Sequence, residues 1–221
     1  MSLVFAGELP RRIEACGVIA VVVIDRAGDA EALGAALHAG GIGAVELALR
    51  TPESMEALAR LKRSLPGLLV GAGTVLTPAQ VARVREAGAD FAVAPGCNRR
   101  VLAAAAEAGL PFAPGIATPS DIEAAVEQGC NLLKFFPAEP SGGAAFLRSM
   151  AGPYAHLGLK YIPLGGIDER TAGAYLAEPS VAALGGSWIA LRELIRARDW
   201  PAITGRAARA MELIRKNRPS P

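Results

Sequence analysis

Two hydrophobic periods alternate along the whole chain. Short Val/Leu-rich runs with nearly continuous apolar residues give way to Ala-rich segments whose apolar positions recur every three or four residues. The first pattern belongs to strands buried on both faces, the second to helices with one buried face. Within 52–65, Met55, Leu58, Leu61 and Leu65 keep helical spacing, so one face of that segment packs on a sheet. The punctuation repeats too. Ala39-Gly40, Ala87-Gly88, Ala108-Gly109 and Gln128-Gly129 each close a helical segment with a glycine suited to the left-handed position beyond a C-cap. Thr51-Pro52, Thr77-Pro78 and Thr118-Pro119 place a capping hydroxyl before a proline at the first helical position.

These signals predict strands over 18–24, 44–49, 68–73, 91–95, 111–115, 132–137, 161–165 and 181–185. Helices are expected over 29–39, 52–65, 78–87, 98–108, 119–128, 143–156, 169–177 and from Trp188 onward, with one more over 5–16 ahead of the first strand. Eight strand–helix units without a linker or a break in composition predict an α/β fold, a (β/α)8 TIM barrel with an extra N-terminal helix, as a single domain over 1–221. A doubly wound open sheet is the competing architecture. It predicts Gly-x-Gly-x-x-Gly after the first strand, and Ile24-Asp25-Arg26-Ala27-Gly28 does not supply it. A barrel puts its chemistry at the carboxyl ends of the strands.

Composition removes several function classes. With 52% hydrophobic residues, 221 residues suffice for one sizeable core. The net charge of +2 is spread over scattered arginines without a basic, aromatic-rich stripe, so no nucleic-acid partner is expected. Cys16, Cys97 and Cys130 are odd in number and form no Cys-x-x-Cys, which argues against a disulfide framework and fits a cytoplasmic location; Cys97 and Cys130 read as small buried residues without a role. The apolar run 15–24 is too short to span a bilayer and Asp25-Arg26 offers no small-residue cleavage site, so it reads as the first strand and no membrane partner is expected. With only His38 and His156, and no metal-ligand spacing, no metal site is expected.

One charge disturbs the pattern. Lys134 sits in the apolar run Asn131-Leu-Leu-Lys-Phe-Phe-Pro-Ala-Glu139, where an unpaired ammonium would be expensive. Of 23 basic residues only Lys62, Lys134, Lys160 and Lys216 are lysines, so a lysine in a core strand points to a need for a primary amine. An amine, unlike a guanidinium, loses its proton when desolvated and condenses with a ketone. A lysine that snorkels or pairs with a carboxylate is the plainer reading.

Period-two alternation extends the idea. In 44–50, Val45, Leu47 and Leu49 share one face, and Glu46, Ala48 and Arg50 the other; in 132–137, Lys134 and Phe136 lie opposite Leu133 and Phe135. If the apolar faces meet the helices, Glu46 and Arg50 point to the interior and a carboxylate, a guanidinium and an amine converge near the top of the barrel, which is seldom stabilising for its own sake. Arg50 suits a substrate carboxylate, with Thr74 adding a hydroxyl; Glu46 suits proton transfer; Lys134 suits nucleophilic attack, kept neutral by burial and by Arg50. Gly165-Gly166 and Gly185-Gly186-Ser187 end the seventh and eighth units, where barrels hold phosphate on backbone N–H groups. No Gly-Lys-Ser/Thr is present, so a nucleoside triphosphate is not implied.

Together Glu46-Leu-Ala-Leu-Arg50-Thr-Pro, Gly71-Ala-Gly-Thr74-Val-Leu, Ala94-Pro95-Gly96, Pro114-Gly115-Ile-Ala-Thr-Pro, Leu133-Lys134-Phe-Phe136-Pro-Ala-Glu139, Pro163-Leu-Gly165-Gly166-Ile and Gly185-Gly186-Ser187-Trp188 resemble the 2-keto-3-deoxy-6-phosphogluconate (KDPG) aldolase / 4-hydroxy-2-oxoglutarate (KHG) aldolase family, over about residues 5–200. The resemblance implies a metal-free class I aldolase with no cofactor, usually a homotrimer, that cleaves KDPG to pyruvate and glyceraldehyde 3-phosphate, with KHG as a second substrate. It implies that Lys134 forms the Schiff base and Glu46 is the general acid/base. Arg50 and Thr74 would hold the pyruvate carboxylate and Pro95 and Phe136 line the pocket, while Gly165, Gly166, Gly186 and Ser187 form the phosphate end. Leu164 departs from the threonine many members carry before the two glycines, which leaves the sugar-acid epimer open. Two other functions fit the residues alone: an isomerase or decarboxylase of a phosphorylated sugar in which Lys134 acts electrostatically, and a sensor that only binds a phosphorylated acid.

Overall fold

Alternation along the strands sorts side chains into two cores. The computed structural model describes residues 3–218. Its strands are β1 (Val18–Val22), β2 (Ala44–Ala48), β3 (Leu69–Gly73), β4 (Phe91–Val93), β5 (Phe112–Ala113), β6 (Gly115–Ile116), β7 (Leu132–Phe135), β8 (Lys160–Pro163) and β9 (Leu184–Gly186). Val18, Ala20, Val22, Val45, Leu47, Leu133 and Phe135 join the large cluster shared with the helices. Ile19, Ala44, Leu69, Phe91, Val93, Ala113, Leu132, Ile162 and Ala183 form a second, inner cluster. A one-residue slip would exchange the two sets, so burial on both faces sets the register.

All the strand pairs are parallel, in two sheets ordered β5-β4-β3-β2-β1-β9 and β6-β7-β8. The expected strand over 111–115 falls in two pieces because Pro114 between them has no N–H to donate, although its carbonyl still accepts from the Lys134 N–H at 2.8 Å. Parallel bridges Tyr161–Val181 and Leu164–Gly185 connect the second sheet to the β9 segment.

The helices are α1 (Leu9–Cys16), α2 (Ala30–Ala39), α3 (Ser54–Ser64), α4 (Pro78–Glu86), α5 (Arg99–Ala108), α6 (Pro119–Glu127), α7 (Gly143–Ala151), α8 (Ala172–Leu176), α9 (Arg192–Ala197) and α10 (Trp200–Asn217). Thr77 and Thr118 cap α4 and α6 in full capping boxes with Gln80 and Asp121. Thr51 does not cap α3: its hydroxyl donates to Ile24 O at 2.6 Å, tying β2's exit loop to the end of β1, and α3 starts only at Ser54. After α2 it is Gly41, with φ 90°, and not Gly40 that takes the left-handed position. The expected helix over 143–156 becomes 3-10 from Gly152, next to Pro153, and the C-terminal segment breaks at Arg198 before Asp199 caps α10.

One end of the inner cluster is closed. Ile13 of α1 and Phe5 pack into it, and Phe5 exchanges hydrogen bonds with the Asn131 side chain just ahead of β7 (2.9 and 3.2 Å). That is the amino end of the strands, so access to the interior is from the carboxyl end.

Candidate active site

Two residues beyond the inner cluster, the same parity brings Glu46 of β2 and Lys134 of β7 inward. Lys134 Nζ donates to Glu46 Oε1 at 2.9 Å, with side-chain exposures of 5% and 4%. Two positions beside this pair carry no side chain. A Cβ on Gly73 would lie 2.2 Å from Glu46 Oε1, and one on Gly115 would lie 2.2 Å from the backbone carbonyl of Pro95. The glycines therefore make room for the carboxylate and for close passage of the Pro95 loop. The Phe136 ring lies 5.4 Å from Nζ and presents its electron-rich face to the ammonium.

Arg50 lies past the end of β2. β2 ends at Ala48, and the Arg50 N–H turns back to Ala48 O at 2.8 Å, so strand alternation stops two residues short of it. Its side chain is exposed at the rim, where Nε donates to Thr74 Oγ1 at 3.3 Å. Thr74 holds φ at 61°, a conformation uncommon for a β-branched residue and one that concentrates at functional sites. The amine and the carboxylate are thus paired in the interior, and the guanidinium is paired with the Thr74 hydroxyl at the mouth.

Pro95 is exposed and Phe136 half-buried. Gly165 and Gly166 follow β8 with φ of 103° and 80°, one against the Phe136 ring and the other against Glu139. Gly186 is buried at the end of β9 and Ser187 beside it is exposed. Leu164, buried, occupies the space over Gly185, whose Cβ would come within 2.1 Å of Leu164 Cδ1.

Sequence reasoning gave no role to Glu139 and Tyr175, yet the Tyr175 hydroxyl donates to Glu139 Oε1 at 2.6 Å beside the Gly165-Gly166 turn. Burial, reinforced by that bond, pushes the Tyr175 phenol above its usual range. Burial also raises Cys97 and pushes Cys130 up to about 12, which disfavours the thiolate at both. Among the described residues no group of three or more His, Cys, Asp or Glu is placed to hold a metal ion, and no helix is long and apolar enough to cross a membrane. A cavity of about 310 Å³ lined by Arg148, Tyr154, Tyr161 and Glu178 shares no residue with the Lys134 site.

The family model for KDPG and KHG aldolase matches residues 10–206. The chain belongs to the KDPG and KHG aldolase family. It is 40% identical over 202 residues to the 2-dehydro-3-deoxy-phosphogluconate aldolase of Treponema pallidum, covering 91% of this chain and 95% of that protein. It is also 40% identical over 195 residues to the KHG/KDPG aldolase of Escherichia coli K12, covering 88% and 91%. Among solved structures, the KDPG aldolase of Legionella pneumophila, with pyruvate captured as a covalent carbinolamine, superposes with a TM-score of 0.86 at 40% identity, covering 90% of this chain and 96% of that one.

Proposed function

We propose that this chain is a class I aldolase that cleaves KDPG to pyruvate and glyceraldehyde 3-phosphate and also accepts KHG. The observation that carries this reading is the buried contact between Lys134 and Glu46 at the carboxyl end of the strands. A carbinolamine on the Legionella relative supports the same covalent chemistry, on an amine.

In the first step Glu46 takes a proton from the Lys134 ammonium across their hydrogen bond, and the neutral amine attacks the C2 ketone. Glu46 returns a proton to the carbinolamine oxygen, water leaves, and an iminium remains. The iminium draws in the electrons of the C3–C4 bond as Glu46, directly or through a water, takes the C4 hydroxyl proton. The aldehyde departs and an enamine of pyruvate is left. Glu46 delivers a proton to C3, and water adds to the iminium and releases pyruvate with Lys134 restored. Arg50, with the Thr74 hydroxyl, pairs with the pyruvate carboxylate at the rim; Pro95 and Phe136 line the pocket; Gly165, Gly166, Gly186 and Ser187 receive the phosphate.

We further read the two sheets as one closed eight-stranded barrel, supported by the bridges from β8 to the β9 segment and by the continuity of β5 with β6 through Pro114. The whole chain is then one domain, and we assign it to the cytoplasm as a homotrimer, on the family resemblance. Borohydride reduction with pyruvate present, followed by mass mapping, tests the chemistry. A reduced pyruvyl adduct on the peptide containing Lys134 is expected, and its absence would refute the reading. The same result separates it from an isomerase, a decarboxylase or a sensor, none of which forms the adduct.

A further inference from the structure

We propose that Glu139 is a positioning residue: held by Tyr175, it sets the Gly165-Gly166 turn, and so the phosphate end of the substrate, relative to Lys134. The proposal rests on the reading of that turn as the phosphate site.

Glu139 lies five residues beyond Lys134 in the loop that leaves β7. Its N–H donates to Gly165 O at 3.0 Å, and the preceding Ala138 N–H donates to Leu164 O at 2.8 Å, so this loop is laced onto the exit of β8. Its side chain lies against Gly166, where a Cβ would come within 2.8 Å of Glu139 Cβ, and its carboxylate is fixed by the Tyr175 hydroxyl at 2.6 Å. Tyr175 itself is completely buried in α8. The Gly143 N–H also donates to Ala138 O at 3.1 Å, anchoring the start of α7 to the same loop. A hydroxyl-to-carboxylate bond adds direction, because it is short, charge-assisted and tolerant of little displacement. The loop that follows Lys134 and the glycine turn are thus tied together at Ala138 and Glu139, and a turn released from the Glu139 side chain holds the phosphate less firmly.

The test compares KDPG with KHG, which has no phosphate, in Tyr175→Phe, Glu139→Ala and Glu139→Gln. In Tyr175→Phe and Glu139→Ala, KM for KDPG is expected to rise about tenfold with kcat nearly unchanged, the scale of one lost hydrogen bond to a charged group. Kinetic constants for KHG and the rate of borohydride trapping with pyruvate should stay as in the unaltered protein. Glu139→Gln keeps an acceptor for the hydroxyl and should largely restore KM. Equal losses on both substrates, or an unchanged KM for KDPG, would overturn the proposal. If Glu139→Ala does not fold, Tyr175→Phe, which keeps the ring in the core, decides alone. Failure of the parent reading shows separately, as absence of the adduct or of KDPG turnover in the unaltered protein.

Discussion

The Glu46 carboxylate occupies the space in which a side chain at position 73 would begin: a Cβ on Gly73 would stand 2.2 Å from Oε1 and 2.8 Å from Cδ. Real Cβ atoms do not approach that closely, so an alanine there must displace the carboxylate from the place where it meets Lys134. Gly73→Ala is therefore expected to lower kcat by about a hundredfold, the usual contribution of a well-placed proton carrier. Overpacking should also lower stability by about 1–3 kcal/mol. Steady-state kinetics beside a urea melt measure both. A variant with near-normal kcat would mean that the carboxylate does not need this place.

The amine at position 134 is expected to be irreplaceable by charge alone. Lys134→Arg keeps the cation opposite Glu46 but offers no nitrogen able to condense with a ketone, so turnover should fall to background. Stability separates the pairing from the chemistry. Lys134→Met leaves a buried carboxylate without its partner and should cost about 3–5 kcal/mol, whereas Lys134→Met with Glu46→Leu should return to within about 1 kcal/mol of the parent. Urea unfolding of the parent, Lys134→Met, Glu46→Leu and the double variant gives the coupling. A single variant as stable as the parent would contradict the buried pairing.

Much of this site was legible because its signal is local. A lysine and a glutamate inside period-two apolar runs stand out on any reading, and the runs are buried on both faces as expected, so their parity carried both side chains inward. Arg50 shows where such reasoning stops: alternation holds only while the chain stays extended, and β2 turns after Ala48. Thr51 illustrates a second limit, since a capping signal before a proline also serves as an anchor, and the Ile24 carbonyl won its hydroxyl. The contact between Glu139 and Tyr175 was out of reach because Glu139 lies in the loop after β7 and Tyr175 lies 36 residues further on, in α8. No spacing rule joins two such positions; only the packing of α8 against the β7 exit does.

Thr74 exchanges stability for placement of its hydroxyl. Left-handed backbone costs a residue with a Cβ about 1–2 kcal/mol, and glycine adopts it freely at an entropic cost of about 0.5–1 kcal/mol. Thr74→Gly should therefore stabilise the protein slightly, raising Tm by about 2 °C. Oγ1, the acceptor of the Arg50 Nε bond, would be lost, and KM for the keto acid should rise. Calorimetry and kinetics on the same preparation test the pair of effects. A lower Tm together with unchanged KM would remove both the strain and the role assigned to this residue.

Asp25, just beyond β1, predicts how the fold responds to acid. Its carboxylate accepts from Arg192 Nε at 3.0 Å and from Arg196 Nε at 2.7 Å, and these bonds hold it well below the usual carboxylate range. A depressed folded-state value means that the unfolded chain binds the proton more readily. The contribution is therefore complete above the unfolded pKa of about 3.9 and is lost as pH falls towards the lower folded value. Asp25→Asn keeps the shape and removes the charge. Melts between about pH 2 and pH 6 should show the variant less stable than the parent at the upper end, with the gap closing below about pH 4. High salt should narrow the gap, since the pair lies at the surface. A gap that stayed constant across the whole range would show that the two arginines do not act on Asp25 through its charge.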